Sequence, residues 1–131
     1  MRIKIINTEK IRDKYVKEAL EEYTKRLSTY CKIEYVETKN PTKEISDKSY
    51  VIKINKDGEQ LSSEQLAEKI SLLGITGNSN ITIIVGGKDI NNVDFVLSIS
   101  NMNIDRDLIL IILYEQIYRA YRINFNHPYH K

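Results

Sequence analysis

The sequence predicts an α/β fold, a mainly parallel sheet with helices on both faces, in one domain over residues 1–131. Three observations carry this reading. Short β-rich runs alternate with stretches of helical periodicity. The run 81–85 is apolar at nearly every position, the pattern of a strand buried on both faces of a parallel sheet. A chain of 131 residues is long enough for one hydrophobic core and too short for two.

Residues 2–6 alternate as a strand does. Ile11, Tyr15, Ala19, Tyr23 and Leu27 then recur four apart with charges between them, which predicts an amphipathic helix over about 11–29. Ile33, Tyr35 and Val36 give 32–37 the β-branched and aromatic weight of a second strand, and Asn40-Pro41 breaks the chain after it. A third strand is expected at 49–54, turned by Lys56-Asp57-Gly58. Ser62 and Gln65 form a capping box ahead of Leu66, Ala67, Ile70 and Leu73 at helical spacing, with Gly74 as the helix stop. The apolar strand 81–85 ends at Gly86-Gly87. A short helix is expected at 91–95, a strand at 96–100 and a long helix over 108–123, whose stripe is Leu110, Leu113, Ile117 and Ala120. Asp105 and Asp107 near its start and Arg119 and Arg122 near its end suit the helix dipole.

The bulk properties exclude several classes. Hydrophobic residues make up 41% and charged residues 29%, which is globular rather than disordered. No stretch approaches the roughly 20 apolar residues of a membrane span, and the start lacks a signal-peptide pattern, so a soluble, cytoplasmic protein without a membrane partner is expected. Cys31 is the single cysteine and has no internal disulfide partner; it reads as a small buried residue. His127 and His130 alone make a poor zinc set, so no metal is expected. A net charge of +2 neither demands nor excludes nucleic acid, but from residue 108 onward Arg119, Arg122 and Lys131 face only Glu115.

Parallel sheets bind ligands at the carboxyl ends of their strands, which points to the segments after Ile54, Val85 and Ser100. Gly86-Gly87 lets a backbone approach a ligand, or simply makes a tight turn. His127, Tyr129 and His130 bring proton-exchanging and aromatic groups to the tail, where a frayed terminus is the plainer alternative. Tyr114, Tyr118 and Tyr121 lie at helical spacing and read as core or dimer seam before base-stacking surface.

The segment Leu113-Tyr114-Glu115-Gln116-Ile117-Tyr118-Arg119-Ala120, followed by Asn126-His127-Pro128-Tyr129-His130-Lys131, resembles the C-terminus of the ribosomal large-subunit methyltransferase H family. Arg2-Ile3-Lys4-Ile5, Glu22-Tyr23-Thr24-Lys25-Arg26-Leu27, Gly58 with Leu61-Ser62-Ser63-Glu64, and Val85-Gly86-Gly87 extend the likeness in order along nearly the whole chain. The resemblance implies a SPOUT-class enzyme with a C-terminal trefoil knot. It further implies a homodimer that uses S-adenosyl-L-methionine to methylate N3 of a pseudouridine in large-subunit ribosomal RNA, free or in the assembled ribosome.

By position, the family's cofactor residues fall on Ile54, on Gly86 and on Ile99, Ser100, Asn101, Met102, Asn103 and Ile104. His130, with Tyr129 beside it, is the expected catalytic contact to the base, and Arg106, Arg119, Arg122, His127 and Lys131 are expected to hold RNA. Where the family usually carries a further glycine, a Pro-His pair and an arginine, this chain has Lys88-Asp89-Ile90, Asp105-Arg106 and Leu110. That difference keeps open an alternative, a catalytically degenerate member acting as a dimeric RNA- or ribosome-binding protein.

Overall fold

The computed structural model describes residues 1–87 and 90–128. Five strands, β1 (Arg2–Asn7), β2 (Lys32–Glu37), β3 (Tyr50–Gln60), β4 (Asn80–Val85) and β5 (Phe95–Ser98), pair in the order β2-β1-β4-β3-β5. Every pairing is parallel. The helices are α1 (Lys14–Leu27), α2 (Ser63–Ile75) and α3 (Arg106–Asn124), with one 3-10 turn at Pro41–Glu44.

All three helices lie on one face of the sheet, which corrects the expectation of helices on both. Ile3, Ile5, Ile52, Ile81, Ile83, Val85 and Leu97 share one buried cluster with the apolar residues of α1, α2 and α3. The alternate residues Ile6, Val51 and Ile84 form a small cluster on the opposite face, covered by Ile45, Ile90 and Val93 from connecting segments. The connections that would carry a second helical layer are too short for it. One holds only the 3-10 turn, and turns rather than the expected short helix occupy 91–94.

The buried set of α1 is Val16, Leu20 and Leu27, whereas Tyr15 is 72% exposed. A strict spacing of four drifts by about 40° per step around a helix of 3.6 residues per turn. The true core stripe therefore follows a mixed spacing, and Ile11 is buried ahead of the helix. Asp13 caps α1, its side chain accepting from the Tyr15 amide at 2.8 Å.

The capping box of α2 forms as expected. Ser62 Oγ accepts from the Gln65 amide at 3.1 Å and Gln65 Oε1 accepts from the Ser62 amide at 2.8 Å. The helix runs through Gly74 and stops at Gly77, whose φ is 89°. The Gly77 amide donates to Gly74 O and the Asn78 amide to Leu73 O, so the exit is a Schellman motif centred three residues later than expected.

Strand β3 also runs beyond its expected end. Leu97 pairs with both Ile54 and Glu59, so residues 55–58 are looped out between two stretches of ladder. A Cβ on Gly58 would stand 2.7 Å from the Val96 carbonyl oxygen, which is why this bulge requires glycine. Ser98 Oγ donates to Lys56 O at 3.0 Å and pins it.

Helix α3 begins two residues before the expected start, capped by Asp105 accepting from the Asp107 amide. It runs antiparallel to the strands. Its first turn lies at their carboxyl ends, while Tyr30 and Cys31, which precede β2, lie beside its last turns. Tyr114 and Tyr121 are buried with Leu110, Leu113, Ile117 and Ala120, so two of the three tyrosines are core. Tyr118 is half-buried against the rings of Tyr23 and Tyr30. Cys31 is buried and burial pushes its thiol up, as befits a packing residue.

Candidate functional site

The end of the first ladder stretch of β3, at Ile54, and the carboxyl ends of β4 and β5 border a cavity of about 290 Å³. This is near the lower end of the range of about 300–1,000 Å³ typical of small-molecule sites. Ile54 and Gly86 line it from the strand ends. Ile99, Ser100, Met102, Asn103 and Ile104 line it from the loop after β5. Asn101 lies in the same loop but is exposed and does not line the cavity. Arg106 enters from the first turn of α3.

The loop geometry is held from several sides. Gly86 has φ 86°, a conformation that L side chains rarely adopt, and a Cβ there would stand 2.5 Å from Thr8 Oγ1 and 2.8 Å from Arg106 Cζ. The Thr8 amide donates to Val85 O at 3.1 Å, and Lys53 Nζ, buried on the helix-free face, donates to the Gly86 carbonyl. Met102 N donates to Ser100 Oγ at 3.0 Å, turning the loop, and Lys56 Nζ donates to Asn103 Oδ1 at 3.1 Å across its mouth.

Arg106 Nη1 stands 2.6 Å from Glu9 Oε2. The Arg106 guanidinium, with Arg12 further off, holds the Glu9 carboxyl below the usual carboxylate range. Leu110 is fully buried in the core, so the position where the resemblance expects an arginine does not face the cavity here.

Thr8, Glu9, Lys53 and Lys56 are contributors that the sequence reading missed. Thr8 and Glu9 follow the first apolar strand directly, so the strand-end rule that found the other loops applies to them too.

Of the other expected RNA-binding residues, Arg119, Arg122 and His127 lie at the other end of the molecule. Arg119 Nε pairs with Glu115 Oε2 at 3.3 Å. Arg122 Nη1 donates to the Tyr30 hydroxyl at 3.0 Å and Nη2 to Pro128 O at 3.3 Å, while His127 Nδ1 stands 2.5 Å from the same hydroxyl. The fold thus joins Arg122 and His127 to each other through Tyr30 and keeps both away from the cavity of their own chain. Tyr129, His130 and Lys131 lie outside the described residues. Among the described residues no group of three His, Cys, Asp or Glu side chains is placed to hold a metal ion, and no helix is long and apolar enough to cross a membrane.

Residues 1–130 match a family model described as "Predicted SPOUT methyltransferase". The chain is 40% identical to the Ribosomal RNA large subunit methyltransferase H of Bifidobacterium adolescentis, over 159 aligned positions that cover 100% of both chains. The same span gives 39% identity to the enzyme of that name from Clostridium novyi and 38% to that from Clostridioides difficile. The 159 aligned positions against 131 residues show that this chain is a shortened form of its relatives.

Among solved structures, a probable methylase family protein from Haemophilus influenzae Rd KW20 is similar with a TM-score of 0.57 at 11% identity. The match covers 95% of this chain and 66% of that one, a likeness of fold. With a full-length family match and relatives of this similarity, the chain belongs to the SPOUT methyltransferase family.

Proposed function

We propose that this chain is a cytoplasmic, single-domain methyltransferase that uses S-adenosyl-L-methionine to methylate N3 of a pseudouridine in large-subunit ribosomal RNA. In this reading it works as a homodimer, with its C-terminal part threaded into the trefoil knot of the class. The observation that carries the proposal is the cavity bordered by Ile54 of β3 and the carboxyl ends of β4 and β5. Seven of the eight residues expected from sequence to hold the cofactor line it, around a glycine whose Cβ position is closed off. Most of the lining residues have small or apolar side chains, which suits a ligand held chiefly through main-chain groups.

When bound, S-adenosyl-L-methionine supplies a methyl group made electrophilic by its sulfonium. The protein's share is to align the acceptor nitrogen and remove its proton. Gly86 and the 99–104 loop hold the donor end of the reaction, kept in place by Thr8, Lys53 and the Lys56–Asn103 contact. The ring nitrogen of a uracil-type base is a poor nucleophile while protonated. His130 is assigned as the group that contacts the base and accepts that proton, with Tyr129 orienting the ring.

Chain reach supports an intermolecular site. Helix α3, 19 residues, is about 28 Å long, and its last turn is tied through Arg122 to Tyr30, at the end of the sheet away from the cavity. His130 lies two residues beyond Pro128, a span of about 7 Å when extended. That span is much shorter than the helix that separates Arg122 from the cavity, so in this reading a second copy of the chain receives His130.

The test is mass spectrometry of ribosomal RNA from cells with and without the gene, together with methyl transfer by the purified protein. Loss of one methyl group from one pseudouridine is expected. The alternative, a degenerate RNA-binding member, is favoured by one observation, the burial of Leu110 where the resemblance expects an arginine. Unchanged ribosomal RNA and no transfer in vitro would select it.

A further inference from the structure

A second opening adjoins the cavity, a groove of about 740 Å³ between the turn after β1 and the 3-10 turn after β2. Thr8, Glu9, Lys39, Pro41 and Lys43 line it, together with Gly87 and Ile90. The two openings are neighbours through consecutive glycines. Gly86 lines the cavity and Gly87 the groove, and the Thr8 side chain lies against both. The partition between them is therefore Thr8 with the Glu9–Arg106 ion pair.

Among the described residues that line the groove, lysines outnumber the one carboxylate. Lys39 and Lys43 are exposed, and among the described residues neither makes an ion pair. Glu9 is the acidic group of the lining, and Arg106 already opposes it. Pro41 and Ile90 add apolar surface beside the two ammonium groups. Cations for phosphates next to apolar surface for base faces is the combination that holds single-stranded nucleic acid.

We propose that this groove binds the single-stranded RNA flanking the target nucleotide, with Lys39 and Lys43 on its phosphates, so that the target base enters the adjoining cavity past Thr8. The inference rests on the RNA-methyltransferase reading. It adds an RNA contact at the same sheet end as the cavity, whereas Arg119, Arg122 and His127 of the same chain lie at the other.

The experiment measures binding of fluorescein-labelled oligouridylate by fluorescence anisotropy over a series of salt concentrations, with calorimetry of S-adenosyl-L-methionine on the same proteins. In Lys39→Glu/Lys43→Glu, RNA affinity should fall at least about tenfold, and the slope of log affinity against log salt should shrink by about 1.4, from ~0.7 per phosphate contact. Donor affinity should be unchanged. Lys25→Glu/Lys32→Glu, at the opposite end of the sheet, should lose less than half as much on a logarithmic scale.

Equal losses in the two double variants, or an unchanged affinity and slope in the first, would overturn the groove. A wild-type protein that binds the donor but no RNA overturns the groove and the functional reading together. Lysine-dependent RNA binding without donor binding overturns only the assignment of the cavity.

Discussion

Arg122 Nη1 donates to the Tyr30 hydroxyl at 3.0 Å, joining two residues 92 apart in sequence. The same hydroxyl stands 2.5 Å from His127 Nδ1, so one phenol anchors both the last turn of α3 and the start of the tail. Tyr30 is itself stacked on Tyr121, with ring centroids 5.7 Å apart, and meets Phe125 edge-on. Removing only the hydroxyl should therefore keep the aromatic packing and release the tail. Tyr30→Phe should lose about 1 kcal/mol of stability. It should also lose several-fold in methyl transfer at unchanged donor affinity, as read by chemical denaturation, single-turnover assay and calorimetry. A loss of activity no greater than the loss of folded protein would show that the anchor serves stability alone.

A tail received by the cavity of a second copy should allow complementation between two crippled proteins. His130→Ala should keep a near wild-type melting temperature and lose at least tenfold in transfer, about 1.4 kcal/mol of transition-state stabilisation. Gly86→Ala should be inactive through its cavity. Mixed, unfolded and refolded together, the pair should regain about a quarter of wild-type activity, because half the dimers are mixed and each has one intact site of two. No regain would place tail and cavity in the same chain.

Gly86→Ala itself should be costly for two separable reasons. At φ 86° an L residue is strained by about 1–2 kcal/mol, and the added Cβ must displace Thr8 and the Arg106 guanidinium. Stability and donor affinity should both fall. The additional substitution Thr8→Ser, which removes the Thr8 Cγ2 methyl while keeping its hydroxyl, should not restore either, since the nearest clash is with Thr8 Oγ1 and the φ is unchanged.

Glu9 gives a pH prediction with a definite sign. Its carboxyl is held below the ordinary value in the folded protein by Arg106, so ionised Glu9 favours the fold above its unfolded value of about 4.3. That contribution disappears as pH falls through the folded value. Glu9→Gln should therefore melt below the wild type near neutral pH, and the two curves should converge in acid. A gap that widens on acidification would contradict the pairing.

The two glycines at the end of α2 should respond in opposite directions. Gly74 lies inside the helix, where alanine is favoured by up to about 1 kcal/mol. Its new Cβ would meet only the terminal methyl of Met1, at 3.3 Å. Gly77 has φ 89° with nothing within 4 Å, so Gly77→Ala costs only the backbone strain of the Schellman exit, about 1 kcal/mol. Thermal denaturation of the two variants checks both the magnitudes and the position of the helix stop.

Much of this protein was determined by local chemistry that a linear reading captures. The apolar run 81–85, the Ser62–Gln65 box and the stripe Leu110, Leu113, Ile117 and Ala120 each depend on neighbours within a few residues, and each element stands where its pattern put it. The cavity was also legible, because a parallel sheet gathers its strand ends on one side whatever their order.

Tertiary structure alone decided the rest. That α1, α2 and α3 share one face follows from the lengths of two connections and the handedness of the crossovers between parallel strands. The partnership of Glu9 with Arg106, and of Tyr30 with Arg122, joins residues that no periodicity relates. The length of α3 sets the separation of tail and cavity. A helix laid antiparallel to the strands carries its first and last turns to opposite ends of the sheet, and no local pattern records that distance.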